Sequence, residues 1–383
     1  MANEEDRDRL AHKSALVVCH LGRHYHKFGY YDIEVLLEEG YQVDFAANFR
    51  LPQDNVNDSR INCIDIPFDR EPIRRSNLLA LIRVYRLIRD KNYTLIHCQS
   101  PVGGVITRLS CIFAGYKNVY YTAHGFYFYR GAPVVNWILY FPIEFILNLF
   151  TKKTIVINQE DFLLAKRLFI NKSIFYLPGI GLNVANVVNT RICRGEKNIN
   201  FSDNDIVIIS VGELSKRKNQ IVLLKAMDYL KKTGLLRKFS IKTLIVGTGN
   251  YEKYLRTYVV NHGLSEIVVL LGQRKDVRSL LELSDIYVST SRMEGLPISV
   301  LEAMDAKLPL ILSNCRGNRE LVEEGYNGYL FQFDEYKTLA ERIVEVAVDR
   351  KKRMEYGEAS YKKVDMYRFE NIKTDIKRAF DLS

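Results

Sequence analysis

Short apolar runs alternate with amphipathic stretches along most of the chain. Ala15–Cys19 reads as a first buried strand. A loop carrying Gly22 follows, then a helix ending near Glu39 and Gly40, where glycine supplies the C-terminal cap. Gln42–Ala47, Thr94–Cys98, Val119–Ala123 and Thr154–Ile157 continue the strand series. Among them, Leu78–Ile88 predicts a basic amphipathic helix with Leu78, Leu79, Ile82, Tyr85 and Ile88 on roughly one side. Apolar strands separated by helices predict a parallel sheet buried on both faces.

The pattern restarts in the second half. Asp205–Val211 is rich in β-branched residues, and Lys242–Gly247, Ile267–Leu271, Ile286–Ser289 and Pro309–Ser313 follow, each after a helical stretch. Phe369–Phe380 again reads as helix, and the polar stretch Asn186–Asp203 separates the halves. The prediction is an α/β protein of two Rossmann-like domains, residues 1–188 and 189–365, with a C-terminal helix near 366–383 packing back on the first. Parallel sheets bind ligands beyond the carboxyl ends of their strands. Two such sheets facing each other would form a cleft suited to a small molecule.

At 383 residues the chain is long enough for two full cores, and 47% hydrophobic with 26% charged residues is ordinary for a globular protein. The net charge of +10 changes the picture more. A basic surface attracts phosphorylated substrates, anionic headgroups or nucleic acid. The charge is spread along the chain without a Lys/Arg block, so phosphorylated small molecules and a membrane surface rank above nucleic acid. The six cysteines form no CxxC pair, and several sit in apolar runs, which fits a reducing compartment. The charged opening MANEEDRDRL is unlike a signal peptide. No apolar run reaches the roughly 18 residues of a membrane span. Val134–Phe150 comes nearest, but Asn136, Pro142, Glu144 and Asn148 interrupt it, and it reads as a packed or interfacial segment.

The sharpest chemical signal is SRMEGLPISVLE, Ser291–Glu302, after the strand ending at Ser289. Gly295 permits a tight turn, and Pro297 suits the first turn of a helix running to about Ala306. The N-terminus of that helix offers unpaired amides and a partial positive charge, suited to a phosphate or a sugar hydroxyl. Glu294 can accept hydrogen bonds from a sugar, and Glu302 can reach a ribose. The alternative is a capping Glu294 and a solvated Glu302; the strand–turn–helix context favours the site. A second signal, VGELSKRKN, places Gly212, Lys216, Arg217 and Lys218 at a strand's carboxyl end, where a departing diphosphate needs positive charge. A solvated basic loop is the alternative. Gly247-Thr248-Gly249 opens like a dinucleotide fingerprint, but Glu252 stands where the third glycine belongs, so it reads as a glycine turn. His124, closing the strand Val119–Ala123, is a candidate hydrogen-bond partner for sugar or acceptor, or else a core histidine. His20, His24 and His26 lack a neighbouring Cys pair or carboxylate, so no metal site is assigned.

Together these motifs resemble the GT-B glycosyltransferases, specifically the retaining family 4, over nearly the whole chain. SRMEGLPISVLEAM resembles that family's E-x7-E signature, which implies donor-sugar contact for Glu294 and ribose contact for Glu302. VGELSKRKN resembles its phosphate loop, with Glu213 where many members have Arg; Lys218 matches the following Lys, and Arg217 is the candidate second charge. TAHGFYFYRGAPVVNWILYFPIE, INQED and RGNRELV resemble bacterial capsule and exopolysaccharide enzymes, and IHCQSPVGG resembles their IHCHTPVGG stretch, with Gln99 replacing a histidine.

The resemblance implies a hexosyl- or N-acetylhexosaminyl-transferase using a nucleoside-diphosphate sugar, UDP first, and a polyprenyl-diphosphate-linked acceptor. His124 and Glu294 are then catalytic. Gly212, Arg217, Lys218, Gly247, Gly295, Leu296, Pro297, Ile298 and Glu302 bind the donor, and Gly22, His24, Gly103 and Gly104 lie on the acceptor side. No cofactor and no metal are expected, since positive side chains replace the ion. A cytoplasmic protein at the inner membrane face is expected, from the net charge, Arg83, Arg86 and Arg89, and the apolar Val134–Phe150; solvated arginines on a core helix are the alternative. Rival functions are an epimerase of the same fold, which would turn over donor alone, and a non-catalytic membrane-associated scaffold, against which the intact Glu294, Glu302, Lys218 and His124 argue. A nicotinamide oxidoreductase is disfavoured by the incomplete glycine motif.

Overall fold

The structure, a computed structural model, describes residues 13–179, 181, 182, 199 and 201–382. Seven parallel strands form a first sheet in the order β3-β2-β1-β4-β5-β6-β7. They are β1 (Ser14–Leu21), β2 (Gln42–Asn48), β3 (Ile61–Asp65), β4 (Leu95–Gln99), β5 (Val119–Ala123), β6 (Lys153–Val156) and β7 (Ile174–Tyr176). Six more form a second parallel sheet in the order β10-β9-β8-β11-β12-β13. They are β8 (Ile206–Val211), β9 (Ile241–Val246), β10 (Val268–Gly272), β11 (Ile286–Ser289), β12 (Leu310–Ser313) and β13 (Gly328–Phe331). The central strands are apolar on both faces, and helices cover both sides, as parallel pairing demands. Two Rossmann-like parallel sheets with helical layers are the α/β architecture predicted.

The chain divides into two compact units. One runs through Gly181 and takes in the helix Phe369–Ala379; the other is Leu182–Arg368. The expected boundary at 188/189 lies outside the described residues. Ile372, Ile376 and Phe380 of the last segment are buried in one cluster with Ile33, Leu36, Tyr120 and Leu177. Strands β3, β7 and β13 have no counterpart among the predicted elements. All three are sheet edges of five residues or fewer, too short for a periodic signal.

The helix Arg75–Asp90 corrects the predicted apolar face. Asn77, Ala80, Val84 and Ile88 are buried, whereas Leu78, Leu79 and Ile82 are exposed. Apolar residues surround much of this helix, so periodicity alone did not single out the stripe; packing on the helix Pro101–Ala114 did. Val134–Leu149 is a helix, and its one charge points inward. Glu144 receives both guanidinium nitrogens of the fully buried Arg108, at 2.9 and 3.1 Å. The Tyr121 hydroxyl also donates to it, and Arg108 lies 3.7 Å over the Tyr121 ring. The exposed residues of this helix are Val134, Val135, Ile138, Leu139, Tyr140, Pro142, Ile143, Ile146 and Leu149, none of them charged. Among the described residues no helix is long and apolar enough to cross a membrane.

Candidate functional site

Strand order in the second sheet reverses direction between β8 and β11, so the loops leaving those strands open a crevice. These two loops carry the strongest motifs. Gly212 leaves β8 at φ 155°, and a Cβ there would lie 3.3 Å from Lys218 Cε, so its absence lets the lysine side chain cross the loop. Gly247 after β9, at φ 132°, comes still closer: a Cβ would fall 1.9 Å from the Gly212 carbonyl oxygen, and one at Gly249 2.2 Å from that of Leu214. Leu214 N–H donates to the Thr248 carbonyl at 2.9 Å. Gly247 and Gly249 therefore serve the crossing of two backbones, which needs two glycines and not the third of a dinucleotide motif.

The loops after β8 and β11 are tied together. Thr290 Oγ1 donates to the Lys218 carbonyl and Arg292 N–H to that of Arg217, both at 2.9 Å. This brings Glu294 to the basic residues. Its Oε1 lies 2.7 Å from Lys218 Nζ and its Oε2 3.1 Å from Arg217 Nη1, which also donates to the Met293 carbonyl at 3.0 Å. Glu294 is buried, Lys218 mostly so, and the Arg217 side chain is 40% exposed. Burial pushes the Glu294 carboxyl up, but the charges of Lys218 and then Arg217 outweigh it and hold the group below its ordinary value. Glu294 is thus an ion-paired carboxylate and makes no cap to the following helix. Glu213 is exposed, and its carboxylate stands 3.9 Å from Arg217 Nη2.

The helix spans Ile298–Asp305, and Pro297 caps it in extended conformation, one residue later than the predicted start. Leu296 is buried beneath the turn. Glu302, half-buried in the second turn, is near enough that its charge, after burial, helps raise the Tyr287 phenol; the Tyr287 hydroxyl is itself 2.9 Å from Ser299 Oγ. Two residues that the sequence reading left without a role shape this loop. Buried Arg316 donates from Nε to the Glu294 carbonyl at 3.1 Å. Gly317, at φ 79°, would place a Cβ 2.4 Å from the Gly295 carbonyl oxygen. Their signal was the glycine after a strand end in RGNRELV.

In the first unit, the switch in strand order lies between β1 and β4. Period-two alternation puts His97 and Gln99 on one face of β4, beside Thr122 of β5. His124, just past β5, has its Nε2 2.9 Å from Gln99 Oε1. Burial pushes its imidazole down to about 4. His24 meets the rings of His20 and Phe28 edge-on. Gly22, Gly103 and Gly104 sit at close packing points: added Cβ atoms would come 1.9 Å from the Asp54 carbonyl oxygen, 2.9 Å from Ser100 Oγ and 2.5 Å from the Tyr121 ring. The fold therefore gathers Gly212, Arg217, Lys218, Gly247, Glu294, Gly295, Leu296, Pro297, Ile298 and Glu302 in the second unit, and Gly22, His24, Gly103, Gly104 and His124 in the first. Among the described residues no group of three or more His, Cys, Asp or Glu is arranged to hold a metal ion.

Comparison with known proteins bears on both units. Residues 195–363 match the family model described as glycosyl transferases group 1, and residues 13–159 the one described as glycosyl transferase 4-like. The putative glycosyltransferase EpsD of Bacillus subtilis is 34% identical over 79% of this chain and 79% of its own. The UDP-Gal:α-D-GlcNAc-diphosphoundecaprenol α-1,3-galactosyltransferase of Escherichia coli is 27% identical over 83% of each. HepE of Anabaena, solved in complex with UDP and glucose, superposes with a TM-score of 0.76 over 97% of this chain and 100% of its own; at 18% identity that likeness concerns the GT-B fold alone.

Proposed function

This chain belongs to the glycosyltransferases of group 1 with a 4-like first domain, and on that premise we propose that it transfers a hexose or N-acetylhexosamine from a UDP-sugar. The acceptor is a polyprenyl-diphosphate-linked intermediate of exopolysaccharide or capsule assembly, and transfer retains the anomeric configuration. The ion-paired trio Lys218–Glu294–Arg217 at the β8/β11 switch point carries this reading. A nucleoside diphosphate entering there offers Lys218 and Arg217 a stronger anionic partner than one carboxylate. Exchange of the cations onto the phosphates frees Glu294 to accept from hydroxyls of the donor sugar. Arg217 supplies the charge that Glu213 does not, and Glu302 holds the ribose. Two cations and the amides opening the helix Ile298–Asp305 stabilise the departing diphosphate, a role that other transferases give to a metal. The leaving phosphate takes the acceptor proton as the new C–O bond forms on the same face. His124, together with Gly22, His24, Gly103 and Gly104, belongs to sugar and acceptor recognition in the first unit.

The galactosyltransferase likeness supports a UDP donor and a lipid-linked acceptor. A panel of UDP-, GDP- and ADP-sugars, read by released nucleotide, tests the reading. UDP release that depends on a polyprenyl-diphosphate glycan is expected. Conversion of the donor without acceptor would instead indicate epimerisation, and no turnover of any donor would favour the scaffold.

The helix Val134–Leu149 supports docking at the inner membrane face, because its exposed side is wholly apolar over nine residues while Arg83, Arg86 and Arg89 are exposed in the same unit. Basic residues near an anionic leaflet contribute about 1 kcal/mol each. The protein should cosediment with vesicles rich in phosphatidylglycerol at low salt, and the double substitution Ile138→Asp, Ile146→Asp should release it. Absence of the wild-type protein from the pellet at low salt would remove the membrane from the account.

A further inference from the structure

A polar chain runs from buried Asp32 through buried Gln99 to the half-buried His124. Asp32 lies on the helix Tyr30–Glu38, Gln99 closes β4, and His124 follows β5. Gln99 Nε2 donates to Asp32 Oδ2 at 2.8 Å and, at a longer 3.4 Å, to the backbone carbonyl of Phe28. A backbone carbonyl can only accept. That contact orients the amide whether or not Asp32 carries a proton, which matters because burial pushes the Asp32 carboxyl up to about 8. The amide oxygen is therefore the end facing His124, 2.9 Å from Nε2. An amide oxygen also only accepts, so His124 Nε2 must bear a hydrogen. With burial holding the imidazole neutral at physiological pH, Nδ1 is left without one. His124 Nδ1 is buried and meets no hydrogen-bonding partner within the protein. The Phe28 ring, 4.5 Å from that of His124 and tilted 42° to it, limits rotation of the imidazole.

We propose that Gln99, held by Asp32 and the Phe28 carbonyl, is a positioning residue that fixes His124 as the Nε2–H tautomer, so that Nδ1 presents a bare lone pair to a substrate hydroxyl. The proposal rests on the assignment of His124 to sugar recognition but makes a separate claim, about which nitrogen carries the proton. His97 is another imidazole nearby, and it touches Asp32 and Thr122. Its Nε2 is engaged by Thr122 Oγ1 at 2.8 Å and its Nδ1 stands 3.7 Å from Asp32, so it does not compete for Gln99. Gln99 bridges its neighbours with a fixed amide and leaves the proton on His124 unambiguous.

The tautomer can be read directly on the full-length chain with nitrogen-15-labelled histidine. Long-range proton–nitrogen correlations distinguish the two ring nitrogens, and the His124 signals are identified by their loss in His124→Asn. A pyrrole-type nitrogen at Nε2 and a pyridine-type nitrogen at Nδ1 are expected near pH 7.5. The Gln99→Met variant should lose this pure pattern, and its transfer rate should fall about 10- to 100-fold, as expected for one unmade buried hydrogen bond, with donor KM little changed. A proton found on Nδ1 in the wild-type protein would overturn the proposal, as would an unaltered tautomer and rate in Gln99→Met. If the Nε2–H form is seen but His124→Asn transfers sugar at the wild-type rate, the tautomer stands and the assignment of His124 to sugar recognition fails.

Discussion

Glu294→Ala is expected to lower kcat/KM for sugar transfer by about 100- to 1000-fold, the scale on which a directed polar contact to a reacting group acts. The protein should remain folded. The carboxylate is buried, but its partners Lys218 and Arg217 reach solvent, so its removal strands no fully buried charge. UDP should bind the variant at least as tightly as the wild-type protein, because Lys218 and Arg217 no longer give up a carboxylate to receive the diphosphate. Acceptor-dependent UDP release and calorimetric UDP binding on one preparation check both halves. Turnover near the wild-type rate would defeat the site. The ion pair also sets a pH dependence. The folded carboxyl sits below its unfolded value, so the pair stabilises the second unit above the ordinary glutamate range, and the contribution is lost as pH falls through the depressed folded value. The wild type should therefore lose more stability than Glu294→Ala on acidification.

Glu144→Ala should destabilise the first unit by about 3–5 kcal/mol, the cost of leaving one partner of a buried ion pair alone. Arg108 is 1% exposed and gives both terminal nitrogens to Glu144, with the Tyr121 ring against its guanidinium, so it has no route to water. Urea unfolding followed through Trp137, which packs in the same unit, reports the effect. Replacing both partners, as Arg108→Met with Glu144→Leu, should recover most of the loss, since a well-packed apolar pair avoids the desolvation cost altogether. A change under about 1 kcal/mol in Glu144→Ala would mean that the guanidinium finds another partner, against the packing described.

The same residue shows where reading the chain stops. Glu144 interrupted an apolar segment and left it suspended between packed and interfacial. Only the position of Arg108, 36 residues earlier, turns that charge inward and leaves the outer face without any. The helix Arg75–Asp90 behaves similarly. Its period was visible, yet its buried stripe was chosen by the neighbouring helix and not by the arginines. In the second unit the motif around Glu294 was legible because its parts are consecutive, whereas Arg316 and Gly317 act on it from the far side of another strand.

By itself the sequence determined the two parallel sheets, the loops at their carboxyl ends and the chemical types placed there. Burial of β-branched runs and the demands of tight turns act on residues within a few positions of each other, and such forces leave a local pattern. The tertiary structure alone decided that Glu294 rests on Lys218 and Arg217, that Gln99 faces His124 with its oxygen, and that Gly247 makes room for Gly212. Hydrogen bonds and ion pairs act over about 3 Å, and which distant side chains come that close depends on strand order, which no local pattern carries.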